Sequence, residues 1–287
     1  MSKDPMKDLH RLLEKQNFNN EEEINEFLNS MKMKSFPELG DDELSNEEKA
    51  QDLADEAYYL PPKEAFKNIS RAFELDPECI SAYEYLGTAA NDPEEALKHF
   101  EKGISIGRNK FGGNFLKEHK GRFWGIYETR PFMKILEKYA ECLYILRRKK
   151  ECISIFEEMI ELNPNDNQGV RDYLMLYLIE VDDFDKFDHY FKIYAEDVTA
   201  FYNFNKALCA FKREGESNNS NECLKSAIKN NKFVLPLLIS SKQQTEILYS
   251  YTIGSKEEAK FYAYYAQLIW QRTPGAIKWL MKFRHFA

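Results

Sequence analysis

The chain of 287 residues carries 40 Lys and Arg against 48 Asp and Glu, a net charge of −8. Nucleic-acid and anionic-membrane binders are normally basic, so this balance argues against both. With 12 glycines and 10 prolines the chain favours helix over a turn-rich β architecture, and five cysteines without a CxxC pair argue against a zinc ribbon or disulfide framework and point to a reducing, cytoplasmic compartment.

The first residues, MSKDPMKDLHRL, lack the apolar stretch of a secretion signal, and no run of 18 apolar residues suggests a membrane span. Residues 1–33 predict a helical hairpin, DLHRLLEKQ then EEEINEFLNSM, and 34–45 an acidic linker. From residue 46 a period emerges. Ala50, Leu53, Ala54 and Ala57 share one helical face, and Ala65, Ile69 and Ala72 another, followed by Pro77. Ala96, Phe100 and Gly103 repeat the spacing. So do Cys152, Phe156, Met159 and Pro164, preceded by a helix with Leu136, Tyr139, Ala140 and Leu143 on its apolar face.

Hairpins are thus predicted over 46–77, 78–110, 133–164, 167–197 and 198–231. Ser45 with Glu48, and Ser255 with Glu258, read as capping boxes. Asp92-Pro93 and Thr273-Pro274 read as caps followed by proline in the first turn. Arg147 to Lys150 read as the basic close of a helix. Residues 232–287 form an atypical capping region, with an irregular stretch over 232–254, then one long helix and one short one.

This alternation of small and bulky positions, ending in proline, resembles the tetratricopeptide repeat, whose unit is about 34 residues. Two such units would place their prolines about 68 positions apart, but Pro77 and Pro164 stand 87 apart. The surplus locates an insertion near 111–132, and it contains GRFWGIYETRPFM, residues 121–133. Phe123 and Trp124 there need burial, and Thr129 can cap the next helix. Two readings stand side by side. In one, favoured because buried aromatics are more often core, Trp124 wedges between helices and Glu128 satisfies an arginine. In the other, Arg122 and Arg130 clamp an anion beside an aromatic floor. The turn ELNPNDNQGVRDYL offers Asp166 or Asn167 as a helix cap, and Arg171 either as a groove residue or as half of a salt bridge.

The stretches FWGIYETRPFM, LNPNDNQGVR and PGAIKWL also resemble a bacterial family of tetratricopeptide-repeat proteins of uncharacterised activity, distantly similar to the suppressor-of-tumorigenicity repeat proteins of animals. The resemblance covers roughly residues 46–282 and implies a helical repeat fold without a known reaction. Arg147 and Arg148 depart from it, standing where glycine is usual between paired helices. Neither a P-loop, GxGxxG, GxSxG nor HExxH occurs. The aromatic run 201–213 reads as core between repeats. The fold class expected is all-α, a right-handed superhelix of tetratricopeptide-like hairpins with 46–287 as one repeat domain. No cofactor, metal, nucleic acid or membrane is expected. The function expected is a scaffold that binds a peptide or partner helix, with Arg122, Glu128, Arg130, Asn167 and Arg171 as contacts. The alternative is a catalytic or ligand-sensing protein with a small anion under the insertion.

Overall fold

A computed structural model describes residues 5–16, 18, 20–31, 40–245 and 250–286. The described residues form sixteen α-helices and four short 3-10 turns, with no strand among them. None of these helices is long and apolar enough to cross a membrane. The chain divides into two compact units, Met1–Leu146 and Arg147–Ala287.

The first unit contains α1 (Pro5–Lys15), α2 (Glu21–Met31), α3 (Asn46–Ala57), α4 (Pro62–Leu75), α5 (Ile80–Ala89), α6 (Pro93–Lys110), α7 (Gly113–His119) and α8 (Arg130–Ile145). Phe18 and Phe27 meet at 5.5 Å between ring centroids, joining α2 to the segment after α1. Residues 1–4, 17, 19, 32 and 33 of the expected hairpin lie outside the described residues, as do 34–39 of the expected linker. Within the rest of that linker, Asp41–Glu43 form a 3-10 turn.

Small side chains decide how these helices meet. Ala50, Ala54 and Ala57 on α3 face Ala65, Ile69 and Ala72 on α4, and all six are buried. With only a methyl group at most of these positions the two backbones approach closely. Glycine does the same between α6 and α8. A Cβ on Gly107 would stand 2.2 Å from the Phe132 ring, and one on Gly103 would stand 2.4 Å from Ile135. Ser45 caps α3 as expected: Glu48 N donates to its Oγ at 3.1 Å and Ser45 N donates back to the Glu48 carboxylate at 2.7 Å.

The second unit contains α9 (Lys149–Leu162), α10 (Val170–Glu180), α11 (Phe184–Ile193), α12 (Ala200–Glu214), α13 (Asn218–Asn230), α14 (Val234–Leu238), α15 (Lys256–Arg272) and α16 (Ala276–Met281). Phe201 and Phe204 of the aromatic run are buried against Tyr262, and Phe211 stacks on Trp279 at 4.5 Å, so this run is core. The buried polar groups are chained: Trp270 Nε1 donates to the Tyr262 hydroxyl at 2.8 Å, which donates to Asn205 Oδ1 at 3.2 Å.

Three local expectations are corrected here. Arg147 to Lys150 do not close a helix. Arg147 takes the left-handed φ of 64° that glycine usually supplies, and α9 opens at Lys149. Lys149 therefore sits at the positive end of a helix, offset by an ion pair with Glu180 at 2.7 Å. Ser255 accepts from Glu258 N at 3.0 Å, but Glu258 does not return the bond; its carboxylate accepts instead from Ala200 N, Asn231 Nδ2 and Gly254 N at 2.7–2.8 Å. Thr273 does not open α16. Its hydroxyl donates back to Ile269 O at 2.9 Å, and the helix starts after Gly275.

Candidate functional site

The insertion runs through two 3-10 turns, Phe123–Gly125 and Tyr127–Thr129, and buries Phe123 from the first and Thr129 from the second. Phe123 is 1% exposed and lies within 6.4 Å of the rings of Phe111, Phe115 and Phe132. Thr129 is buried and stands at the N-cap position of α8, but its side chain makes no capping bond to the helix. Its one hydroxyl hydrogen is shared between the Phe123 and Ile126 carbonyls, each of which also accepts a backbone N–H of its turn, so the side chain ties the two turns together. The wedge is therefore Phe123; Trp124 next to it is only half-buried.

The expected polar contacts are redistributed in the same way. Arg130 Nε donates to Trp124 O at 3.0 Å, and its guanidinium lies 5.6 Å and 5.4 Å from the Trp124 and Tyr127 ring centroids. Arg122 is exposed. Glu128 satisfies a lysine rather than an arginine: Lys110 Nζ lies 3.0 Å from its carboxylate and is shared with Glu47. Burial would lower the Lys110 ammonium, but these two carboxylates outweigh it and hold it above its ordinary value.

Helix α1 meets the same region. The His10 ring stacks on Tyr127 at 5.5 Å and 18°. Arg11 grips Asp52 of α3 through both carboxylate oxygens, at 2.8 and 2.9 Å. Lys7 lies 2.7 Å from Asp55 and also contacts Asp52. Burial alone would raise the Asp52 carboxyl; the hydrogen bonds from Arg11 and the charge of Lys7 hold it below the usual range instead. Between α1, α3 and the insertion lies a cleft of about 210 Å³, edged by Glu47, Glu48, Asp76, Glu78 and Glu128 against Arg11 and Lys110. Sequence reasoning did not single out Lys7 or Arg11. Their signal was a basic residue every fourth position, at 7, 11 and 15.

The second unit holds the other expected residues. Asp166 takes φ 47° and accepts from Val170 N at 2.8 Å and Arg171 N at 3.1 Å, so it caps the start of α10. Asn167 is exposed in the same turn. Arg171 is held on three sides: Nη1 lies 2.9 Å from Asp166, Nε lies 2.9 Å from Asp197, and the Tyr194 ring centroid is 5.3 Å from the guanidinium. Asp172 follows and is buried, with Oδ1 lacking a hydrogen-bond partner. Burial pushes its carboxyl up to about 8 against the pull of Arg171.

Burial pushes the Cys79 and Cys209 thiols up to about 12, far from the thiolate a nucleophile needs. Among the described residues no group of three or more His, Cys, Asp or Glu side chains is placed to hold a metal ion. Arg122, Glu128 and Arg130 belong to the first unit, Asn167 and Arg171 to the second. No family model and no curated protein matches this chain.

Proposed function

We propose that the chain is a protein-interaction scaffold: a right-handed stack of tetratricopeptide-like hairpins, of the family its motifs resemble, that binds a peptide or partner helix. Supporting this, the first helices of successive hairpins are neighbours, α3 with α5 and α5 with α8 in one unit, α10 with α12 in the other. No hairpin of this kind buries its apolar face alone, and stacking leaves a surface suited to an extended ligand.

The observation that carries the reading is the acidic cleft beside the insertion. It is smaller than the roughly 300 Å³ at which small-molecule sites begin, yet large enough for one side chain. Five carboxylates against two cations favour a Lys or Arg anchor of a bound peptide. The same excess works against a small anion, which was the alternative. In this reading Glu128 edges the cleft, and Arg122 and Asn167 are exposed contacts. Arg171 positions its neighbours, because its donors are engaged on Asp166 and Asp197, and Arg130 holds Trp124 O through Nε and packs on two rings.

Selection from a displayed random peptide library tests this. Enriched peptides should carry Lys or Arg, and Glu78→Lys should weaken them about tenfold with the circular dichroism spectrum unchanged. Enrichment of acidic peptides, or a thermal shift with inorganic phosphate that Glu78→Lys increases, would count against it.

A further inference from the structure

Two charged rows face one another in the first unit. Lys7, Arg11 and Lys15 recur every four residues along α1, and so lie on one face of it. Asp55, Asp52 and Glu48 recur along α3 three and four residues apart. The rows run in opposite directions and meet in register: Lys7 with Asp55 at 2.7 Å, Arg11 with Asp52 at 2.8 Å, Lys15 with Glu48 at 3.7 Å.

Two of the three cations are sunk, with the Lys7 and Arg11 side chains 11% and 3% exposed, while Lys15 is exposed and the carboxylates stay 24–34% exposed. Apolar support is slight. Among the described side chains of α1, Leu9 is the buried hydrophobic one, and Leu12 and Leu13 are half-buried. A helix of 11 residues is marginal by itself. Charge pairs that reach solvent weaken with salt. The α3 face is therefore covered by a short element held chiefly through charge.

We propose that α1 is an intramolecular stand-in for a partner helix. The face of α3 bearing Glu48, Asp52 and Asp55 is the docking seat for an amphipathic helix with basic residues four apart, and α1 holds the seat until such a helix displaces it. This rests on the scaffold reading and names the chemistry of its partner. The complementarity repeats on successive turns, which a single surface ion pair does not, and Tyr127 adds an aromatic ring at the position of His10.

The test uses the full chain and, as probe, a labelled peptide of residues 5–15, PMKDLHRLLEK. In Lys7→Glu with Arg11→Glu, α1 should leave the seat, its amides exchanging about tenfold faster or more. That variant should bind the peptide at least about tenfold tighter than the unaltered chain, whose own α1 competes at high effective concentration. Adding Asp52→Lys and Asp55→Lys should abolish the gain. Lys7→Ala with Arg11→Ala repeats the test without introducing negative charge.

Four results with these variants would overturn the proposal, and a fifth with the unaltered chain. The four are wild-type protection of α1 in both variants, released α1 with intact helicity but no peptide binding, binding indifferent to Asp52 and Asp55, and unfolding of both variants. A dimer of the unaltered chain that dissociates with Lys7→Glu would put a second copy's α1 in the seat and also overturn the stand-in. A seat that refuses the peptide leaves the anchor cleft untouched, since Glu78→Lys reads the cleft separately.

Discussion

Arg171 and Asp197, 26 positions apart in the chain, meet with both Nε and Nη2 of the arginine 2.9 Å from one carboxylate oxygen. Through Nη1 the same guanidinium also holds Asp166, so one side chain ties the turn before α10 to the turn before α12. Asp166 and Asp197 are 1% and 6% exposed as side chains, and without the guanidinium both would be buried with no countercharge, keeping only backbone N–H donors. Arg171→Ala should therefore destabilise the protein by about 2–3 kcal/mol, reduced from the fully buried case because Arg171 itself reaches solvent. The urea midpoint measures this. Arg171→Glu should cost more, since it adds another carboxylate beside Asp166, Asp172 and Asp197. For that reason it cannot serve as a fold-neutral probe of binding.

Asp172 makes stability depend on pH in a direction opposite to most carboxylates. Its carboxyl titrates near 8 when folded and near 3.9 in an unfolded chain. Between those values the folded protein keeps a proton that unfolding releases. Its contribution is complete below about pH 4 and is lost as pH rises through about 8, with a slope of up to about 1.4 kcal/mol per pH unit. Asp172→Asn mimics the protonated acid and removes that slope. Denaturant titrations should place the variant close to the unaltered protein at pH 4.5 and above it in stability at pH 8.5. Parallel curves across that range would mean that Asp172 is ionised in the folded state.

Gly107→Ala should destabilise even though alanine is the better helix former by about 1 kcal/mol. The added methyl would meet three atoms of the Phe132 ring at 2.2–2.9 Å, and the ring is buried with little room to retreat. Overpacking of this kind costs about 1–3 kcal/mol, so the net change is a loss. Phe132→Leu in the same chain should recover part of it, which a double-mutant cycle on thermal unfolding would detect.

Phe123 and Trp124 should separate cleanly although they are adjacent. Phe123→Ala empties a site that is 1% exposed and should cost about 3–5 kcal/mol. Trp124→Ala removes a half-buried ring that covers Arg130, worth about 1 kcal/mol. Melting temperatures of the two variants give the comparison. Equal losses would restore Trp124 as a wedge.

What the sequence alone determined is local. Ala50, Ala54 and Ala57, then Ala65, Ile69 and Ala72, announce two helices that close on one another, because a helical face repeats every three to four residues wherever the chain goes. The Ser45 and Glu48 box is legible for the same reason: its atoms lie within one turn. The surplus between Pro77 and Pro164 placed the insertion, and inside it the choice between Phe123 and Trp124 was undecidable, since both are aromatic and a 3-10 turn has no long apolar period to read. The tertiary structure decided which aromatic is the wedge, that Glu258 ties Ala200, Asn231 and Gly254 together instead of completing a box, and that Arg171 is spent on Asp197. It also brought the basic row of α1 onto the acidic row of α3. The Phe123 ring cluster gathers residues 8–12 positions apart and the Glu258–Gly254 bond spans four, while the bonds of Glu258 to Ala200 and Asn231, of Arg171 to Asp197 and of α1 to α3 join residues 26 or more positions apart. Such pairings follow from how helices come to rest against each other, which no pattern within a single helix encodes.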